Sequence, residues 1–475
     1  MSQAAPSSPM PTFDLNQRSP WALEATVFDA PGPFDLRVRE HALICVDAQG
    51  TITEVIEQSE LRWASERQRY ADTQQLRVLP QGQYLMPGMV DLHVHAPQWP
   101  QSGKALDVPL EVWLQDNTFP LEARFADAQY AHRIYDHLVP TLLANGTTTA
   151  LYFGGVHNAG NEVLAERCMH YGQRALVGKV AMDLADQCPA YYMDASAQEA
   201  IDQTKALMDW IYQHPANARQ TVLPVITPRF IPTCSDELLQ GLGALAQASG
   251  AHVQSHCSES DWAHQHVLER MGCTDAHALH RFGLITRRTV LAHAPFLSPE
   301  DVALLAREGA SIAHCPLSNF YFANSVFPAR EQQAVRLGMG LGTDISGGYS
   351  PSMLDACRHA VTASLALHEG TDPELLSADR GRKGQGRTAQ IDHVFALWLA
   401  TTAGGQALDL PVGRIEAGYA MDALAMDCSA THSNVAVWPE DSAADVLQKL
   451  LYNATRANVA TVWVQGQQVH SSAAH

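Results

Sequence analysis

The sequence predicts an α/β protein, a (β/α)8 TIM-like barrel carrying a small β-sandwich domain built from both chain ends. Three observations lead there. Between about Pro87 and Leu410, eight short apolar runs each precede a stretch with helical spacing, the alternation of parallel strands joined by crossover helices. The two ends are strand-rich instead. The length of 475 residues also exceeds one ordinary core and suits a barrel with an accessory domain.

The barrel strands are expected at Val90–His95, Thr147–Phe153, Leu176–Met182, Val222–Thr227, Ala251–Ser255, Thr289–Ala292, Ser311–His314 and Met339–Thr343. The segments between them carry helix-period spacing. In Ser298–Glu308, Ser298 is the N-cap and Glu300 and Asp301 occupy the first turn, where acidic groups meet the helix dipole. A doubly wound sheet competes on strand count alone. At the N-terminal end, Ala42–Asp47 and Thr51–Ile56 alternate around the turn Ala48–Gly50. At the other end, Val435–Trp438 and Ala460–Val464 are strand-like and Gln465–Gln467 supplies a turn. Neither end is long enough for its own core, so the two should pair. The expected division is 1–86 and 411–475 for the small β domain and 87–410 for the barrel.

With 31 basic and 50 acidic residues the formal net charge is −19. Such a surface repels phosphate backbones, which argues against nucleic acid and for a small neutral or cationic ligand. The segment Arg380–Arg387 is basic and glycine-rich and reads as a solvated loop rather than a nucleic-acid arm. No apolar run approaches the roughly 18 residues of a membrane span. Met1–Phe13 is Ser/Pro/Ala-rich, without the basic start and apolar block of a secretory signal. Nine cysteines are scattered without a Cys-x-x-Cys pair, which fits reduced thiols in a cytoplasmic protein.

The strongest chemical signal is Asp91-Leu-His93-Val-His95. Residues i and i+2 of a strand share a face, so His93 and His95 project together from the end of the first barrel strand. The fifth strand runs into His256, the sixth into His293 and the eighth into Asp344. All lie at C-terminal strand ends, the face where barrels build active sites. Imidazoles with one carboxylate suit zinc or ferrous iron. Glu259 follows His256 by three residues, and a helical turn there would keep both on one side, with the carboxylate free to carry protons. The fourth strand holds no lysine to carbamylate, which favours one metal. His314 and Cys315 close the seventh strand and are read as structural. The His-x-Glu with Pro-Cys-x-x-Cys signature of one class of zinc deaminases is absent.

With these residues in place, Pro87–His95 together with His256, His293 and Asp344 resembles the amidohydrolase superfamily and, within it, the guanine deaminases. The similarity continues through His95–Gln98, Asp107–Leu114, Thr118–Phe125, Thr227–Phe230, Ser255–Glu259, His314–Asn319 and Gly342–Ser350. The resemblance implies His93, His95, His256 and Asp344 as metal ligands, with one zinc per chain or Fe2+ in its place. It implies Glu259 as proton shuttle, with His293 and Asp344 as its catalytic partners. Gln98, Arg229 and Phe230 would hold the purine, alongside His256, Glu259, His293 and Asp344. The implied reaction is hydrolytic deamination of guanine at C2, giving xanthine and ammonia, in a homodimer. Alternatives are a relative acting on another purine, pterin or triazine ring, and a silent barrel scaffold; the filled ligand positions speak against the scaffold.

Overall fold

The computed structural model describes residues 19–472. The expectation that Met1–Phe13 is not a secretory signal falls on residues outside them. The chain opens with β1 (Trp21–Gly32), β2 (Asp35–Val46), β3 (Ile52–Ile56), β4 (Leu76–Val78) and β5 (Gln83–Pro87). The barrel strands follow: β6 (Met89–His95), β7 (Thr147–Phe153), β8 (Arg174–Gly178) with the short β9 (Val180–Ala181), β10 (Val222–Pro228), β11 (His252–Cys257), β12 (Thr289–His293), β13 (Ser311–His314) and β14 (Gly338–Leu341). The chain ends with β15 (Ala423–Asp427), β16 (Val459–Val464) and β17 (Gln467–Ser471).

The two ends pair as expected. β15 runs antiparallel to β5, with Leu424 opposite Met86, and the sheet continues β17-β16-β15-β5-β1-β2-β3. Its faces separate by the period of two. Ala423 and Ala425 join Leu23, Val27, Ile44 and Trp463 in a core of the small domain, whereas Leu424 and Met426 join Phe28 and Met86 in the large core beneath the barrel helices. Val435–Trp438 departs from expectation and is not a strand. Val437 and Trp438 are exposed, so the apolar run has no second face to cover, and Asp441 takes the Trp438 N–H at 2.7 Å.

In the barrel, β6, β7, β8 and β10 to β14 form a continuous parallel series. Val90, Leu92, Leu151, Leu176, Val225, Val290 and Ala313 fill the interior, as packed barrels require. The ring closes between its first and last members: His95 N donates to Ile345 O at 2.7 Å and Asp344 N to His93 O at 2.8 Å. Gly342 permits this approach, since a Cβ there would lie 2.8 Å from His93 Cβ. The Ser298 cap forms a reciprocal pair with Asp301 at the start of the helix Pro299–Glu308. The basic segment includes a helical turn, Gly381–Gly384. Three of its four charges are paired within the chain: Lys383 with Glu369 at 3.1 Å, and Arg382 and Arg387 with Glu331. No helix among the described residues is long and apolar enough to cross a membrane, and all nine cysteines are free.

Candidate active site

The C-terminal strand ends bring His93, His95, His256, His293 and Asp344 together, all buried. Candidate donor atoms of His93, His95 and His256 lie within 4.8 Å of one another, as do those of His93, His293 and Asp344. His95 Nε2 and His256 Nε2 face each other at 3.0 Å. Asp344 Oδ1 stands 3.2 Å from His93 Nε2 and 3.7 Å from His95 Nε2. Phe153, at the end of β7, has its ring centroid 4.9, 4.8 and 4.7 Å from those of His93, His95 and His256, and so restricts their rotamers.

Outer hydrogen bonds set which nitrogen faces inward. His256 Nδ1 donates to Arg229 O at 2.6 Å, which leaves its Nε2 lone pair for the cluster. His293 Nδ1 lies 3.0 Å from Asn319 Oδ1. Asp91 accepts from Thr343 N, from Thr343 Oγ1 and from His93 N, tying the two ends of the barrel together beneath the site. Burial, reinforced by the neighbouring imidazoles, pushes His95 and His256 well below the ordinary histidine range. Burial also lowers His293, to about 4. These are neutral rings with free lone pairs. Burial alone would raise Asp344, but His93 and His293 outweigh it and hold the carboxylate low.

Glu259 takes its place differently from the expected helical turn. Residues 258–260 form a loop, Ser258 has φ 45°, and the helix Asp261–Met271 begins only after the Ser260 cap. The bend sets Glu259 Oε1 3.6 Å from His293 Nε2. Burial and the adjacent Asp344 push its carboxyl well above the usual range, which favours its protonated form.

Beside this cluster lies a small, narrow cavity, lined by His95, Gln98, Arg229, Phe230, Glu259 and Asp344, with Leu110, Trp113, Leu114 and Phe322 among its apolar walls. Gly347 completes the wall; a Cβ there would meet Asp344 Oδ2 at 2.7 Å. Arg229, the largest fully buried side chain, is paired with Glu122 through Nη1–Oε2 at 2.6 Å and Nη2–Oε1 at 3.3 Å. Gln98 Nε2 also donates to Glu122 at 2.8 Å. Phe230 lines the cavity, with its ring 6.0 Å from that of His256. Glu122 and Phe153 were not singled out from the sequence. A carboxylate inside the apolar run Phe119-Pro-Leu-Glu122 was the available signal for the first.

The model of the amidohydrolase family matches residues 84–469. This chain belongs to the amidohydrolase family. Within it, the chain is 37% identical over 405 residues to the guanine deaminase of Mus musculus, covering 83% of this chain and 85% of that one. The structure of guanine deaminase from C. acetobutylicum with bound guanine in the active site superposes with a TM-score of 0.83 at 26% identity, over 95% of this chain and all of the other. An adenosine deaminase from Xanthomonas campestris with bound zinc superposes at 0.76 and 25% identity, covering 94% of this chain and 92% of that one. The amidohydrolase cluster fits a metal on its own geometry. Buried His93 Nε2 and His293 Nε2 make no hydrogen bond, and two neutral nitrogens 3.0 Å apart repel unless a cation or a proton lies between them. The set of imidazoles and one carboxylate suits a borderline divalent ion.

Proposed function

We propose that this amidohydrolase is a guanine deaminase, hydrolysing the C2–amino bond of guanine to give xanthine and ammonia. The observation that carries this reading is the charged, buried grip of Arg229 and Gln98 opening into the same cavity as Glu259 and the ligand cluster. The acceptor edge of a planar ring matches the donors of that grip. The guanine deaminase relatives and the guanine-bound structural neighbour support the same substrate.

His93, His95, His256 and Asp344 would hold one zinc, the ion bound in the adenosine deaminase neighbour. Zinc lowers the pKa of a water from about 15.7 toward about 7 and thereby provides hydroxide at neutral pH. The chain's own groups do the rest. Arg229 donates to O6, where an acceptor matches its fixed N–H fork. Gln98 meets a second edge, and Phe230 packs on the ring. Asp344, held ionised, accepts the proton of the attacking water. Glu259, protonated by its burial, delivers a proton to N3 as C2 becomes tetrahedral. As the C2–N bond breaks, the proton that Asp344 took from the water passes to the amino group, which leaves as ammonia, and the proton of the C2 hydroxyl returns to Glu259. His293 Nε2, 3.6 Å from Glu259 and 4.0 Å from Asp344, stands beside the reacting centre, where it stabilises the developing charge.

The same reading takes 87–410 as the barrel unit and joins 1–86 to 411–475, supported by the pairing of β5 with β15. It places the enzyme in the cytoplasm as a homodimer, supported by the free thiols and by the family resemblance. The test is ammonia release from guanine, 8-oxoguanine, adenine, cytosine and pterins, with metal content measured on the same protein. Guanine should be turned over to xanthine with the highest kcat/KM. Turnover of another ring with none of guanine would overturn the assignment.

A further inference from the structure

We propose that Glu122 is a positioning residue that fixes which hydrogen-bonding groups the site presents to the base; this rests on the guanine reading above. Glu122 is fully buried and does not line the cavity, so it acts through the two residues that do. Its Oε2 accepts from Arg229 Nη1 at 2.6 Å, and its Oε1 from Arg229 Nη2 at 3.3 Å and Gln98 Nε2 at 2.8 Å.

An ionised carboxylate only accepts. It therefore dictates that the amino end of Gln98 faces it, and the other end of that amide is fixed by Ser346 N, which donates to Gln98 Oε1 at 3.3 Å. The amide cannot turn over without opposing donor to donor at Ser346 and leaving Glu122 an acceptor facing an acceptor. Arg229 is constrained in the same way. The two-pronged contact sets the plane of its guanidinium, and Phe119 lies against that plane with its ring centroid 4.9 Å from the guanidinium carbon. The N–H groups not spent on Glu122 then have one direction left, toward the base. One carboxylate thus sets the donor and acceptor pattern of two contact residues that come from separate elements, Gln98 from the 3-10 helix Ala96–Gln101 and Arg229 from the position just after β10.

A purely structural role for Glu122 would weaken binding of every ring alike. A positioning role changes discrimination. The experiment compares KM and kcat for guanine with the inhibition constant of 2,6-diaminopurine, which carries a donor amino group where guanine has O6. In Glu122→Gln, whose fold and metal content are checked by circular dichroism and metal analysis, the preference for guanine should shrink about 10- to 100-fold, the size of a charge-assisted hydrogen bond. KM should change more than kcat, and Glu122→Asp, which keeps the charge, should recover part of the preference. If guanine and diaminopurine weaken in proportion, the positioning role is overturned. Where Glu122→Gln does not fold, E122Q/R229M removes both buried charges and is read against R229M. A lower preference in the double variant supports the proposal through Gln98, and equal preferences overturn it. A parent enzyme inactive on guanine would instead overturn the guanine reading, and this role with it.

Discussion

Two neighbouring clusters at the mouth of the barrel are built on opposite electrostatic plans. The histidine cluster is open: neutral rings crowd together, buried nitrogens lack partners, and two of them face at 3.0 Å. The cluster proposed to grip the base is closed: Arg229, Glu122 and Gln98 satisfy one another. Open clusters wait for an ion and contribute little to the fold. Closed ones are part of the fold, because a buried charge that loses its partner is costly. The difference separates residues whose loss removes chemistry from those whose loss also removes stability.

The largest expected effect tests the open cluster. His93→Ala or His95→Ala should abolish deamination and leave less than one metal per chain, while circular dichroism stays that of the parent. Full activity after chelation of the parent would break the comparison at its root. Next, Glu259→Gln should keep metal and guanine binding and lose about 10²–10⁴ in kcat, the range of a general acid–base group. A parallel fall in metal content would move Glu259 into the ligand set. The smallest of the three is Arg229→Met, with kcat/KM for guanine down about 100-fold or more, chiefly through KM. Here the closed cluster should also show itself in denaturant unfolding, since Glu122 is left buried without its cationic partner, at a loss of about 3–5 kcal/mol. Parent-like unfolding would show that the two clusters are not built on different plans.

Much of this was legible in the sequence for a plain reason. A strand places alternate residues on one face, so His93 and His95 at the end of an apolar run already imply a shared direction, and the other barrel strands repeat the arrangement. The ends of the chain were legible as partners because neither could cover itself. What was not legible depends on contacts distant in the chain or on irregular backbone. Glu122 lies 107 residues from Arg229, and its role exists only once the turn Phe119–Glu122 packs against the end of β10. Ser258 bends in a way that no propensity announces. Val435–Trp438 has the composition of a strand, but no neighbouring strand is present to pair with it.

The seam of the barrel has a consequence for how the protein is made. Asp91 and Thr343, 252 residues apart, are hydrogen-bonded, and the backbone bonds that close the ring join His93 and His95 to Asp344 and Ile345. During synthesis the first two residues of the proposed ligand set leave the ribosome long before the last one. Until the final barrel strand arrives, the nascent chain carries histidines on an unsealed sheet, with no aspartate to complete the set. Contacts this far apart in the chain form slowly. The proposed ligand set is therefore brought together only when the first and last strands of the barrel meet.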